Sequence, residues 1–206
     1  MLHSLSVTPA AIAGVTRSER FLLVDPLDGT GEFIAGSGDF ATLIALVRDN
    51  VPVLGVIYAP ESDLLYWAVR GHGAFKEANG ESRPISAIHH EHDQPDSLVV
   101  AISRRQKLEN LTRRLNPAIH YELIPLGSSS LKSCLVAEGV ADCYVRLGPT
   151  GEWDTAAAQC IVEAAGGRIL SLALQPLSYN ETESLENPDF IVMGDPDLAW
   201  GRILAH

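Results

Sequence analysis

Phe21-Leu22-Leu23-Val24 is a short apolar run that leads directly into Asp25-Pro26-Leu27-Asp28-Gly29-Thr30. Proline and glycine end a strand there, so the pattern predicts a strand that delivers two aspartates to a tight turn. Apolar stretches at 40–47, 51–58 and 64–69 follow, separated by Asp49-Asn50 and by Pro60-Glu61-Ser62-Asp63. After Gly71-His72-Gly73 comes one more short strand, and the whole reads as an antiparallel meander. The stretch 77–96 is polar, with Pro84, Pro95 and His89-His90-Glu91-His92, and reads as a linker. It divides a first half, 1–88, from a second half, 97–206, with 89–96 as the connection; the histidines are expected to be solvated rather than metal-bound.

Strand and helix signals alternate in the second half. A strand at 97–102 leads to a helix near 104–115 and a strand at 121–125. Gly127-Ser128-Ser129-Ser130 then precedes a helical segment, 131–138, whose start the serines can cap. A strand at 142–147 is broken by Gly148-Pro149-Thr150-Gly151, and an alanine-rich helix at 155–165 closes on Gly166-Gly167. Strands at 168–174 and 190–193 and a short terminal helix complete an α/β, α+β layered fold of sheets and helices. In such folds ligands sit where strand ends and helix starts gather.

The 206 residues are enough for one large domain or two small ones. With 46% apolar and 20% charged residues the composition is that of a globular protein. Fifteen Lys and Arg against 26 Asp and Glu give a formal charge of −11, and no basic run appears, which disfavours a nucleic-acid polymer as partner. A small anionic ligand stays compatible with this balance, because bound divalent cations reverse the local field. No apolar stretch approaches the ~20 residues of a membrane span, and Met1–Val15 lacks the features of a secretory signal. A cytoplasmic location is expected. Cys134, Cys143 and Cys160 match no zinc spacing and read as reduced core thiols.

Three turns carry candidate chemistry. Asp25 and Asp28 flank a backbone carbonyl on one turn, with glycine beside them, an arrangement that suits a hard cation such as Mg2+; an Asx-capped Asp-Pro turn is the structural alternative. In Trp153-Asp154-Thr155-Ala156-Ala157-Ala158 an acid opens a helix of small residues, where either capping or ligation explains it. Gly127-Ser128-Ser129-Ser130 offers amides and hydroxyls at a helix start, suited to an anion or to simple capping.

Together these turns resemble the lithium-sensitive, magnesium-dependent phosphatases of the inositol monophosphatase and 3'(2'),5'-bisphosphate nucleotidase superfamily. The resemblance runs from about Phe21 to Met193. Its most specific parts are Leu23-Val24-Asp25-Pro26-Leu27-Asp28-Gly29-Thr30 with Glu32-Phe33-Ile34, and Gly148-Pro149-Thr150 followed by Trp153-Asp154-Thr155-Ala156-Ala157. Val53-Leu54-Gly55-Val56-Ile57-Tyr58-Ala59-Pro60, Ser129-Ser130-Leu131-Lys132 and Val136-Ala137-Glu138-Gly139 look like the bacterial bisphosphate nucleotidase branch, whose enzymes serve sulfur metabolism. The resemblance implies the family's sandwich of sheets and helices. It implies that Asp25 bridges two Mg2+ ions, that the Leu27 carbonyl binds one, and that Asp28 and Asp154 hold the other. Gly29 and Thr30 would present amides to the scissile phosphate, with the Thr30 hydroxyl near the attacking water. Ser129, Ser130, Lys132, Arg104 and Arg146 would hold the remainder of the substrate. Arg146 stands where inositol-specific members carry an acid, which tilts the expected substrate from an inositol or sugar phosphate toward adenosine 3',5'-bisphosphate.

Members of this family carry a longer lead before the first aspartate motif, with a Thr-Asp pair and a Ser-Glu-Glu segment. Here 24 residues precede Asp25, and Leu5-Ser6-Val7-Thr8 stands where Ser-Glu-Glu is expected. Glu19 lies too close to the strand to replace it. The expectation is a fold short of its first helices and a metal shell short of one acid, with turnover lowered by as much as the roughly 10²–10⁴-fold that a general base supplies; a truncated, non-catalytic member is the other reading. A missing helix layer would bare apolar sheet surface, which a homodimer interface could cover.

Overall fold

The computed structural model describes residues 19–204. The predicted meander is present as one six-stranded antiparallel sheet in sequence order: β1 (Arg20–Asp28), β2 (Ala41–Arg48), β3 (Val51–Ala59), β4 (Leu64–Val69), β5 (Ala74–Ala78) and β6 (Glu81–Ile85). Strict alternation in β2 shows why these residues make a sheet with one buried face. Ala41, Leu43, Ala45 and Val47 point inward and are fully buried, whereas Thr42, Ile44, Leu46 and Arg48 point the other way. Asp49 and Asn50 both adopt positive φ, the two-residue hairpin turn that these residue types favour.

The second sheet is mixed, in the order β11-β13-β9-β7-β8. Its strands are β7 (Ser97–Ser103), β8 (His120–Leu126), β9 (Cys143–Arg146), β11 (Arg168–Ser171) and β13 (Phe190–Met193), while β10 (Thr150–Gly151) and β12 (Glu186–Asn187) pair with each other apart from it. Here β7 runs parallel to β8 and β9, while β13 is antiparallel to both its neighbours. Two helices, α3 (Ser129–Ala137) and α4 (Glu152–Ala164), lie between the sheets. One core cluster joins Leu43, Val47 and Ile57 of the first sheet to Ala157, Ile161 and Val162 of α4 and to Tyr144 and Phe190 of the second sheet. Small residues let α4 approach closely: a Cβ on Gly55 would stand 2.4 Å from the Ala157 carbonyl oxygen. A second cluster on the far side of the mixed sheet includes Leu98, Val100 and Ile191 together with Leu111 of α2 (Leu108–Thr112) and Trp200 and Ile203 of α5 (Trp200–Ile203). The layers are therefore sheet, helices, sheet, helices, with the outer face of the first sheet open among the described residues. Leu22 on that face is 62% exposed, and Val24, Ile44 and Tyr58 are exposed beside it.

Four details differ from the sequence reading. Pro26 does not end β1; the strand continues to Asp28 through an irregularity in its register with β2 between Asp25 and Asp28. The polar stretch after residue 77 contains β6, an exposed edge strand whose Glu81, Ser82, Arg83 and Pro84 show no apolar alternation. The helix expected at 104–115 shrinks to α2, because Arg104 and Arg105 turn back toward the first sheet instead of continuing a helix. The histidine segment is not simply solvated. His90 places its ring 2.7 Å from the buried Asp142 carboxylate and donates its backbone N–H to Asp195, which ties the connecting segment to the second sheet. All three cysteines are buried and free.

Candidate active site

The two predicted acid turns are brought together. One carboxylate oxygen from each of Asp25, Asp28 and Asp154 lies within 4.8 Å of the others. β1 supplies the first two residues, and α4 supplies Asp154 from its first turn. Each acid also anchors itself with one oxygen. Asp25 Oδ1 accepts the Leu27 N–H at 2.9 Å, an Asx turn, and Asp154 Oδ2 accepts the Gly151 N–H at 2.7 Å, a helix cap. Asp28 Oδ2 accepts the Ser130 N–H at 3.0 Å, the Ser130 hydroxyl at 2.5 Å and the Ser128 hydroxyl. Capping and ligation are thus not alternatives here, since each carboxylate keeps a second oxygen for a cation.

The cluster has no direct ion pair. None of the ion pairs among the described residues includes Asp25, Asp28 or Asp154. Burial is the main cause that raises the Asp25 and Asp154 pKa values, and repulsion from the neighbouring carboxylates adds to it. Asp154 is pushed up to about 7, and Asp25 lies within hydrogen-bonding reach of it. Three oxygen donors gathered in this way fit a hard divalent cation.

Gly29, in the left-handed conformation, opens the short helix α1 (Thr30–Ala35), and the Thr30 hydroxyl donates to the Leu27 carbonyl at 3.1 Å. The serine turn faces the cluster, but the anion at this helix start is Asp28 itself. Ser128 also caps α3 by accepting the Leu131 N–H, and the Ser129 hydroxyl lies 3.0 Å from that of Tyr144. Lys132 is fully buried, and its ammonium donates to the Leu126, Gly127 and Ser128 carbonyls. Arg104 pairs with Asp39. Arg146, at the end of β9, keeps a buried Nε with no hydrogen-bond partner.

Residues missed by the sequence reading complete the surroundings. Arg105 pairs with Glu32 at 3.0 Å and donates to the Gly31 carbonyl at 2.8 Å, while Asp39 accepts the Gly127 N–H at 2.9 Å. These contacts fasten the α1 loop to the β8–α3 turn. Gly127 fits between the two acids, where a Cβ would stand 2.5 Å from Glu32 Cγ and 2.6 Å from Asp39 Cβ. Asn187 donates to the Gly151 carbonyl at 2.7 Å and so fixes the turn that caps Asp154. The Ser-rich helix start hinted at Ser128, and Glu32 stands in the motif that follows Thr30, without a role read for it; nothing local in the sequence marks Asp39 or Asn187.

A profile of the inositol monophosphatase family matches residues 5–195. The chain belongs to the inositol monophosphatase family. Among curated members it is similar to the 3'(2'),5'-bisphosphate nucleotidase CysQ of Aggregatibacter actinomycetemcomitans, 44% identical over 183 residues, which is 89% of this chain and 67% of that protein. CysQ of Escherichia coli K12 is 43% identical over 174 residues, 84% of this chain and 68% of that one. The crystal structure of CysQ from Bacteroides thetaiotaomicron, a bacterial member of the family, superposes with a TM-score of 0.78 at 37% identity, covering 93% of this chain and 75% of that chain. The fold is therefore the family's sandwich of sheets and helices. The segment where the family's Ser-Glu-Glu acids are expected, Leu5-Ser6-Val7-Thr8, lies outside the described residues.

Proposed function

We propose that this chain is a metal-dependent phosphoric monoester hydrolase that removes the 3'-phosphate of adenosine 3',5'-bisphosphate, with Mg2+ as the working ion. The observation that carries the reading is the largely buried triad of Asp25, Asp28 and Asp154, crowded within 4.8 Å, with none of its members in an ion pair among the described residues. Asp25, Asp28, Asp154 and the Leu27 carbonyl are the groups that would hold metal. Bound there, divalent cations supply a nucleophilic water at neutral pH and neutralise charge on the phosphate. The Gly29–Thr30 turn binds the scissile phosphate, since the first amides of a helix lack intrahelical acceptors, and the Thr30 hydroxyl orients the attacking water. Arg146 holds the phosphate that is not cleaved, since the planar guanidinium fork suits that group. Ser129 contributes from the adjoining helix start. The buried free thiols suit the reducing cytoplasm, and the open apolar face around Leu22 and Ile44 suits pairing of two copies.

The test is phosphate release from adenosine 3',5'-bisphosphate by the purified chain with Mg2+, inhibited by lithium and abolished by chelation. Release no faster than that of Asp25→Asn overturns the reading. Equal rates on inositol 1-phosphate overturn the role of Arg146 alone, and a single monomeric species in sedimentation removes the pairing.

A further inference from the structure

A lysine in the first turn of a helix opposes the helix dipole, and burying its charge carries a large desolvation cost. Lys132 does both, and burial brings its pKa down to about 8. Its side chain is 1% exposed. An ammonium has three protons to donate, and Lys132 places all three, at 3.3 Å on Leu126 O, 2.7 Å on Gly127 O and 2.6 Å on Ser128 O. The face of the Tyr144 ring covers it, 5.0 Å from the ring centre. No donor is left over for a ligand.

The backbone it grips is the turn that holds Asp28. A trans peptide unit points its C=O and its N–H in opposite directions. The unit whose Leu126 carbonyl faces Lys132 therefore aims the Gly127 N–H outward, onto Asp39 Oδ2. The next two units, with the Gly127 and Ser128 carbonyls drawn inward, set the course of the chain into α3. That course places the Ser128 hydroxyl and the Ser130 N–H and hydroxyl on Asp28 Oδ2.

We propose that Lys132 is a positioning residue, which acts through the Leu126–Ser130 turn to fix Asp28 at the acid cluster and does not touch substrate. This deepens the metal-site reading above and rests on it for the metal measurements. Residues that orient metal ligands typically contribute 10- to 100-fold in affinity. Lys132→Met is therefore expected to weaken Mn2+ binding, read by electron paramagnetic resonance or calorimetry without substrate, by about that factor. KM for adenosine 3',5'-bisphosphate at saturating metal is expected to stay within about twofold of wild type. Mn2+ binding equal to wild type with the change confined to KM overturns the proposal. Lys132→Arg keeps the charge but cannot repeat the three-carbonyl grip. Weakened Mn2+ binding in this variant supports the clamp, whereas retained binding overturns it, and it serves alone if Lys132→Met does not fold. Amide exchange supplies a readout free of metal: Ser130 and Leu131 should exchange at least tenfold faster in the variant, and equal protection overturns the clamp. A wild-type chain that binds no Mn2+ sinks the metal-site reading, and the exchange comparison then still decides the clamp.

Discussion

The β1–α1 turn and the β8–α3 turn meet at Asp28 and treat charge in opposite ways. On the first, Asp25 faces Asp154, burial and repulsion raise both carboxyl pKa values, and no cation answers them. On the second, the one buried charge, Lys132, has every proton placed, and both serine hydroxyls that face Asp28 are bonded to it. Buried charge without a partner costs stability. The protein tolerates that cost at Asp25 and Asp154 and removes it at the lysine. On the proposed reading, this contrast separates the groups kept for a ligand from those that hold the ligand site in shape.

The contrast breaks most sharply at Asp25. Asp25→Asn removes a proposed ligand but keeps the size and the hydrogen bond to Leu27, so phosphate release with Mg2+ should fall at least about a hundredfold while the melting temperature holds. Next comes Arg146. Arg146→Met should raise KM for the bisphosphate roughly 10- to 100-fold, the loss of a hydrogen bond to a charged group, and should leave a substrate with a single phosphate almost unaffected. On the scaffold side the expected damage is to stability. Gly127→Ala inserts a methyl against Glu32 and Asp39 and should cost about 1–3 kcal/mol in denaturant unfolding.

The smallest effect sharpens the comparison by its sign. Asp154 titrates near 7 in the folded protein against an ordinary 3.8, so the unfolded chain loses this proton first as pH rises. Without metal, the stability contributed by this group is fully present below about pH 4 and is lost as pH climbs through 7. With Mg2+ the order reverses, because ligation needs the ionised form, and the metal-induced rise in melting temperature should grow across the same range. Asp154→Asn should therefore raise the melting temperature in chelator at pH 8 by about 2–4 °C, as read by thermal melts, while abolishing the response to Mg2+.

The sequence revealed the parts of the fold that follow from alternation. The β2 and β3 hairpin around Asp49-Asn50 and the strand at 64–69 are present as expected, since each has one apolar face and a turn whose residues suit its backbone. β6 was hidden because an exposed edge strand needs no apolar face. The three aspartates were legible because a strand or helix end presents them on glycine-bearing turns. What Lys132 and Arg104 do was not legible. Residue type says that a cation seeks oxygen, and only the packing of α3 shows that the oxygens Lys132 finds are its own turn's carbonyls. Arg104 finds Asp39 because the β7 end and the β2 entrance meet in space, 65 residues apart by number (104 − 39).

Such separations also set the order of events in folding. The bonds from Ser130 to Asp28 span 102 residues, and those from Gly127 to Asp39 span 88. Closing loops of that length costs entropy before the contact returns anything, so the acid cluster is expected to close after both sheets have formed. A cation that needs all three aspartates then has little to grip in the folding transition state. Its stabilisation falls on the unfolding rate, and the loaded protein persists longer without folding faster.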